Sequence, residues 1–259
     1  MRGDFQHTEL RPASRTDVLP QPSSGARYRR LLCRIERRFE THFEIVRAGR
    51  LEIPFARISD PNRILDEVAA EEDRLERVSG RRAPEDQLRL PYWAELWDSA
   101  LALASFLSER GPDVAGASVL DLGCGMGLSG TAAAALGARV LFADLEPAAL
   151  LFAQLNSLPD ASRVRTRRLD WRRDPLGEQF DLILGADILY ERKQWDYLEP
   201  FWRSHLAPSG SVLLGEPGRK TGEMFVDWIA DRGWRLTEYA QSVETRPRPV
   251  RVFQLAQAR

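Results

Sequence analysis

Asp121-Leu-Gly-Cys-Gly-Met-Gly127, led in by the apolar run Ser118-Val-Leu120 and followed by small residues from Ser129 to Leu136, reads as a buried strand, a glycine turn and a helix closed by Gly137. Glycine lacks the side chain that keeps backbone away from a ligand, so a small molecule can lie against such a turn. The helix that follows directs its free N–H groups and the positive end of its dipole toward the same spot, favouring a carboxylate or phosphate there. The motif is weak when taken alone. Gly123-x-Gly125-x-Gly127 is one reading of it, and Gly125-x-Gly127-x-x-Gly130 satisfies the dinucleotide fingerprint as well. A tight strand–helix turn that binds nothing is the plain alternative.

On either side of the turn, apolar segments alternate in type as a parallel sheet wound with helices requires. Ser99 to Leu107 reads as a helix. Val140-Leu-Phe-Ala143 is a second strand, Pro147 to Leu155 a helix, Val164 to Leu169 a third strand and Phe180-Asp-Leu-Ile-Leu-Gly185 a fourth. A helix from Trp195 to Leu206, stopped by Ala207-Pro-Ser-Gly210, leads to a fifth strand at Ser211-Val-Leu-Leu214. A helix over Glu223 to Asp231 precedes a final antiparallel pair, Trp234 to Tyr239 with Val250 to Leu255. The expected fold is α/β, a Rossmann-like doubly wound sheet of seven mostly parallel strands with helices on both faces.

Upstream the character differs. Residues 1–26, rich in Pro, Ser, Arg and Gly, bury too little apolar surface to offset ordering entropy and are expected to form a tail. An amphipathic helix follows from Tyr28 to Phe39. A hairpin then pairs His42–Val46 with Leu51–Phe55 across Arg47-Ala-Gly-Arg50. Asp60-Pro61 reads as an N-cap and first helical residue of a charged helix reaching about Val78, ended by Ser79-Gly-Arg-Arg-Ala-Pro84. The expected division is a tail at 1–26, a helix–hairpin extension at 27–84 and the α/β domain at 85–259.

The 37 basic residues nearly balance the 38 acidic ones, for a formal charge of -1, so no whole-chain field draws the protein onto nucleic acid or an anionic membrane. Cys33 and Cys124 are the only cysteines, which fits a reduced compartment, and neither they nor His7, His42 and His205 have metal-ligand spacing. No apolar run approaches the roughly 20 residues of a membrane span, and the N-terminus lacks a hydrophobic signal core. A cytoplasmic monomer without metal is expected.

Three acids fall at the ends of consecutive strands, where open α/β sheets bind ligands. Asp121, two residues before Gly123, would repel a pyrophosphate but could hold an ammonium or a water, which favours a zwitterionic amino-acid ligand. Asp144 stands where a carboxylate accepts bonds from two ribose hydroxyls, with an N-cap role as its plain alternative and Glu146 as the rival acid. Asp170-Trp171 offers an acceptor for an exocyclic amine beside an aromatic face, suited to adenine, although a tryptophan can equally be core.

Leu90-Pro-Tyr-Trp-Ala-Glu-Leu-Trp-Asp-Ser-Ala-Leu-Ala-Leu-Ala104, Val119-Leu-Asp-Leu-Gly-Cys-Gly-Met-Gly-Leu128, Leu169-Asp-Trp171 and Asp181-Leu-Ile-Leu-Gly-Ala-Asp-Ile-Leu-Tyr190 together resemble the family-16 methyltransferases of the seven-strand class. That group holds many protein-lysine methyltransferases and bacterial relatives described as nicotinamide N-methylase-like. The resemblance covers about residues 85–255 and implies S-adenosyl-L-methionine as cofactor. By motif it implies cofactor contacts at Trp97, Gly123, Cys124, Gly125, Asp144, Trp171 and Ala186. The turn and the acids read above add Asp121, Gly127 and Asp170 to that set. The resemblance also implies that Asp187-Ile-Leu-Tyr190 faces the transferred methyl group. Trp93 shares a segment with Trp97, and spacing assigns at least one of the two to the core. The extension at 42–55 departs from the family's eukaryotic members, which leaves the acceptor open.

Methyl transfer is an in-line displacement, governed by placement and desolvation. An amine such as lysine, with a reference pKa of about 10.4, must also lose its proton. Asp187 is therefore expected to attract and aim an amine and Tyr190 to orient it, neither acting as a strong base. The leading expectation is N-methylation of a lysine side chain on a protein. A small heteroaromatic or aliphatic amine, a cofactor-binding partner protein and an NAD-dependent dehydrogenase are the alternatives. Glu216-Pro217 borders either the acceptor site or only a turn.

Overall fold

A computed structural model describes residues 25–79 and 91–258, except for the side chains of residues 72, 75 and 79. Residues 1–24 of the expected tail, most of the helix-ending Ser79–Pro84 segment and the boundary near residue 85 lie outside the described residues, whereas Gly25 and Ala26, expected in the tail, open a helix. The elements run α1 Gly25–Glu36, β1 Thr41–Ala48, β2 Leu51–Ile58, α2 Pro61–Ser79, α3 Asp98–Glu109, β3 Ser118–Leu122, α4 Leu128–Ala135, β4 Arg139–Asp144 and α5 Pro147–Asn156. They continue as β5 Val164–Arg168, β6 Phe180–Ala186, α6 Arg192–His205, β7 Leu206–Glu216, α7 Lys220–Ala230, β8 Trp234–Gln241 and β9 Val250–Gln257.

The strands β3 to β9 form one seven-stranded sheet in the order β5-β4-β3-β6-β7-β9-β8. Pairing is parallel from β5 through β7, and β9 is antiparallel to both β7 and β8. Strand order reverses at β3, so the crevice beyond the carboxyl ends of β3, β4 and β6 is the switch point where ligands of such sheets bind.

Alternating strand residues feed two cores. Leu120, Leu141, Ile183 and Leu214 pack against Trp195, Leu198 and Trp202 of α6 and Phe225 and Ile229 of α7. Val119, Val140, Leu182 and Leu213 face the opposite way, against Leu103 and Phe106 of α3, Ala133 of α4 and Ala153 of α5. Strands buried on both faces explain the near-continuous apolar runs in the sequence.

The N-terminal elements add a third layer. Tyr28, Leu31 and Ile35 of α1, with Val46, Ile53, Phe55 and Ile58 of the hairpin, share one buried cluster with Met126, Leu128, Phe152 and Leu155. In α2 the cap at Asp60 is present: its Oδ1 accepts the N–H groups of Asn62 and Arg63 at 3.1 and 3.3 Å.

Several boundaries differ from the sequence reading: α1 covers Gly25–Glu36 instead of Tyr28–Phe39, and α7 starts at Lys220, three residues before Glu223. Helix α6 starts at Arg192, three residues before Trp195, and carries Pro200 inside it. Ala207-Pro-Ser-Gly210, expected as a helix stop, belongs to β7, which begins directly after α6. Phe180 faces Leu206 and Leu182 faces Ser211, so the Pro- and Gly-containing residues between are accommodated as an irregularity in the ladder.

Candidate active site

The glycine turn hangs from the tip of the neighbouring strand: the N–H groups of Gly123 and Cys124 both donate to the carbonyl of Ala143, at 2.8 and 3.1 Å. Gly127, the residue capping α4, has φ +86°, and a Cβ there would lie 2.7 Å from Cβ of Ala153 and 2.9 Å from its Cα. Only glycine fits this position. Gly127 itself supplies no capping side chain; of the first N–H groups of α4, that of Gly130 is taken from behind by Asp121. The turn remains narrow, since a Cβ on Gly125 would be 3.4 Å from the carbonyl oxygen of Trp93.

Asp121 lies behind this turn. Its Oδ2 accepts the N–H of Gly130 at 2.8 Å, tying α4 to β3. Burial pushes its carboxyl up to about 7, against the lowering effect of that bond. The free ammonium holder expected here is thus a buried clamp between strand and helix. Asp144 sits at the tip itself, its Oδ2 accepting the N–H of Gly125 and its Oδ1 that of Glu146, each at 2.9 Å. Burial raises it to about 6. Burial, with Asp144 and Asp121 adding to it, also holds the Cys124 thiol well above its ordinary range, so the thiol stays protonated.

Trp171 comes to the turn from the end of β5. A Cβ on Gly123 would stand 3.4 Å from its ring, and its Nε1 donates to Oε1 of Gln194 at 3.1 Å. Asp170 is engaged elsewhere: Arg172 donates to both carboxylate oxygens at 2.9 and 2.8 Å, and Arg173 donates at 2.9 Å. These bonds hold its carboxyl far below the usual range. The free acceptor expected for adenine is therefore a carboxylate bound within its own loop.

Beyond β6 stands a different arrangement. Asp187 adopts φ +54°, the one described non-glycine residue with positive φ. Its N–H donates to the carbonyl of Gly215 at 2.9 Å. Its carboxylate is gripped by Arg219, Nε to Oδ1 at 3.0 Å and Nη2 to Oδ2 at 2.7 Å. Burial raises the Asp187 carboxyl, and Arg219 opposes that rise. The carboxylate expected to await an amine already has a cationic partner, one that the sequence reading missed.

Arg219 is itself fixed from behind. Buried Glu216 accepts the N–H groups of Gly218, at 2.9 Å, and Arg219, at 2.5 Å, and pairs with Arg251. The Arg219 guanidinium lies 5.8 Å from the ring centre of Trp97. Trp97 donates Nε1 to the carbonyl of Tyr92 at 2.9 Å, and the Tyr92 ring meets Tyr190 edge-on at 5.6 Å. Burial raises the Tyr190 phenol to about 12, so it stays protonated. Ala186 ends β6 opposite Gly215. Ile188 joins the two halves, its Cγ2 lying 3.1 Å from the place of a Cβ on Gly123.

Trp97 thus lies in this aromatic wall, while Trp93 packs edge-on against Phe39 at 5.4 Å, as core. Arg219 and Tyr92 gave little sequence signal. An arginine three residues past a strand-end glutamate and an exposed tyrosine are both common. Among the described residues no cluster of His, Cys, Asp and Glu is placed to hold a metal ion. No described helix is long and apolar enough to cross a membrane.

A family described as lysine methyltransferase matches residues 85–230, more than half of the 259-residue chain. The chain belongs to this lysine methyltransferase family. It is 38% identical over 138 residues to protein N-lysine methyltransferase METTL21A of Xenopus tropicalis, covering 50% of this chain and 62% of that one. It is 36% identical over 135 residues to the electron transfer flavoprotein beta subunit lysine methyltransferase of Danio rerio, covering 50% and 51%. The chain thus spans between about half and three fifths of the length of these family members. Among solved structures it is similar in fold to a ribosomal protein L11 methylase from Lactobacillus delbrueckii subsp. bulgaricus, with a TM-score of 0.52 at 22% identity over 64% of this chain and 81% of that one. Magnesium protoporphyrin IX methyltransferase from Synechocystis PCC 6803 gives 0.52 at 18% identity, over 78% and 98%.

Proposed function

We propose that this chain is an S-adenosylmethionine-dependent N-methyltransferase that acts on a lysine side chain of a protein. The observation that carries the reading is that the family match, residues 85–230, contains the whole constellation from Trp97 through Asp121, Asp144, Trp171, Asp187 and Tyr190 to Arg219. We assign 85–259 to the catalytic domain and 27–84, together with Gly25 and Ala26 of α1, to its extension. Two unpaired cysteines, Cys33 and Cys124, support action in the cytoplasm, and we take the protein to be a monomer.

The residues present fit the cofactor chemically. The glycine turn Gly123–Gly127 and the N-terminus of α4, whose cap residue Gly127 has no side chain in the way, suit its amino-acid end. Asp144 has lone pairs left for the ribose hydroxyls once its two N–H partners are served. The Trp171 ring offers a face to adenine, and the bound Asp170 shapes the loop that presents it. When bound, the cofactor supplies an electrophilic sulfonium methyl group.

Tyr92, Trp97 and Tyr190 wall the acceptor side, with Tyr92 meeting the other two rings at 6.3 and 5.6 Å. Asp187 and Arg219 form a charge-balanced pair beside this wall, so it carries no unpaired carboxylate that would hold an ammonium. A lysine ammonium entering there loses its proton to water and presents a lone pair, because an aromatic, charge-balanced wall favours the neutral amine.

The test is incubation of the purified chain with radiolabelled S-adenosylmethionine and a lysate of its source organism. A discrete labelled protein band that yields methyl-lysine on hydrolysis is the expected result. Label confined to small molecules would move the acceptor to a nicotinamide-like amine. Absence of S-adenosylhomocysteine binding in calorimetry would overturn both.

A further inference from the structure

One side chain hydrogen-bonds the N-terminal hairpin to the glycine turn. Asn156, the last residue of α5, is only 4% exposed. Its Oδ1 accepts the N–H of Ala56 in β2 at 2.8 Å, while its Nδ2 donates to the carbonyl of Ala56 at 3.0 Å and to that of Met126 at 2.9 Å. Met126 lies between Gly125 and Gly127. A buried amide with both donor and acceptor in use has one orientation, so it fixes the distance between the strands and turns it joins.

An apolar contact runs beside this polar one. Phe39, from the segment joining α1 to β1, packs on Trp93 and on Phe152, with ring centres 5.4 and 6.2 Å apart. Trp93 in turn sets its backbone carbonyl against Gly125. A second hairpin tie goes elsewhere: Ser108 of α3 donates Oγ to the carbonyl of Ala48 at 2.8 Å and accepts the N–H of Arg50 at 3.1 Å, without touching the turn.

We propose that Asn156 is a positioning residue for the methyl donor, and that through it the helix–hairpin extension is a working part of the cofactor site. The inference rests on the methyl-donor reading given above. Placement of the turn's backbone decides how well it receives a ligand, and here that placement is set partly by a strand over 60 residues away in sequence.

Calorimetry with S-adenosylhomocysteine on the full chain, Asn156→Ala and Ser108→Ala tests it, alongside amide hydrogen exchange at Gly127. Asn156→Ala should weaken binding by about tenfold or more and speed exchange at Gly127, whereas Ser108→Ala should keep affinity within about twofold while still loosening the hairpin. Equal affinity in all three proteins, or losses that only follow thermal stability in both variants, would overturn the proposal. Coupling is reciprocal, so in the unmodified chain S-adenosylhomocysteine should slow exchange at the Ala56 amide more than at Arg50. Equal slowing would also count against it. This last arm needs no variant to fold. Failure of the unmodified chain to bind S-adenosylhomocysteine would instead sink the methyl-donor reading itself.

Discussion

The two halves of the site hold their carboxylates in opposite ways. On the glycine-turn side, Asp121 and Asp144 are bound by backbone N–H groups of Gly130, Gly125 and Glu146. Beyond β6 and β7, Asp187 is paired with the side chain of Arg219, and Glu216, besides two backbone N–H groups, with that of Arg251. Backbone donors belong to the fold and cannot swing away, so the first half is rigid but leaves its acids without a counter-charge. Their protons are correspondingly hard to remove. The second half is charge-balanced and is held by long side chains, which can rearrange while the sheet stays intact.

The largest expected effect breaks the rigid half directly. Gly127→Ala forces a left-handed backbone on alanine and drives its Cβ into Ala153. It should cost about 2–4 kcal/mol of stability, read from the urea midpoint.

Proton linkage sharpens the contrast next. The Asp121 carboxyl moves from 3.8 to about 7 on folding, so the folded chain holds a proton that the unfolded chain has released. Its contribution to stability is full below about pH 4 and is lost as pH rises through 7. Urea titrations of the cofactor-free protein should lose a few kcal/mol over that window, at ~1.4 kcal/mol per pKa unit. Asp121→Asn, which still accepts the Gly130 N–H, should flatten the profile and exceed the parent in stability at alkaline pH. A parent profile already flat would remove the distinction between the halves.

Asp144→Asn comes third. Loss of the charge proposed above to receive two ribose hydroxyls should weaken S-adenosylhomocysteine binding by about 1.5–3 kcal/mol, with a smaller change in stability. In the parent, affinity should climb as pH rises through about 6, where Asp144 ionises, and in the variant that climb should vanish.

Arg219→Met has the smallest expected effect. It leaves Asp187 buried without its cation, but because the Arg219 side chain is 41% exposed the loss is about 1–2 kcal/mol, well below that for a fully buried pair. Affinity for S-adenosylhomocysteine should stay within about twofold. A large loss of affinity would mean that the two halves act as one.

The sheet was legible because β3, β4 and β6 are continuous apolar runs, and the turn because glycines are needed where backbone meets backbone. The tip acids were legible as positions only. Nothing in Asp170 or Asp187 tells that arginines two or 32 residues away take up their oxygens. Such pairings depend on how loops close, and loop closure leaves no periodicity to read. The hairpin's tie to Met126 was hidden for the same reason, since Asn156 is an ordinary helix-ending residue until its three partners are in place.

The last strand in sequence, β9, lies between β7 and β8 in the sheet. During synthesis β8 therefore emerges before the neighbour that joins it to the rest. Until Val250–Gln257 pairs into that gap, β7 and β8 each leave unpaired the edge that β9 will join.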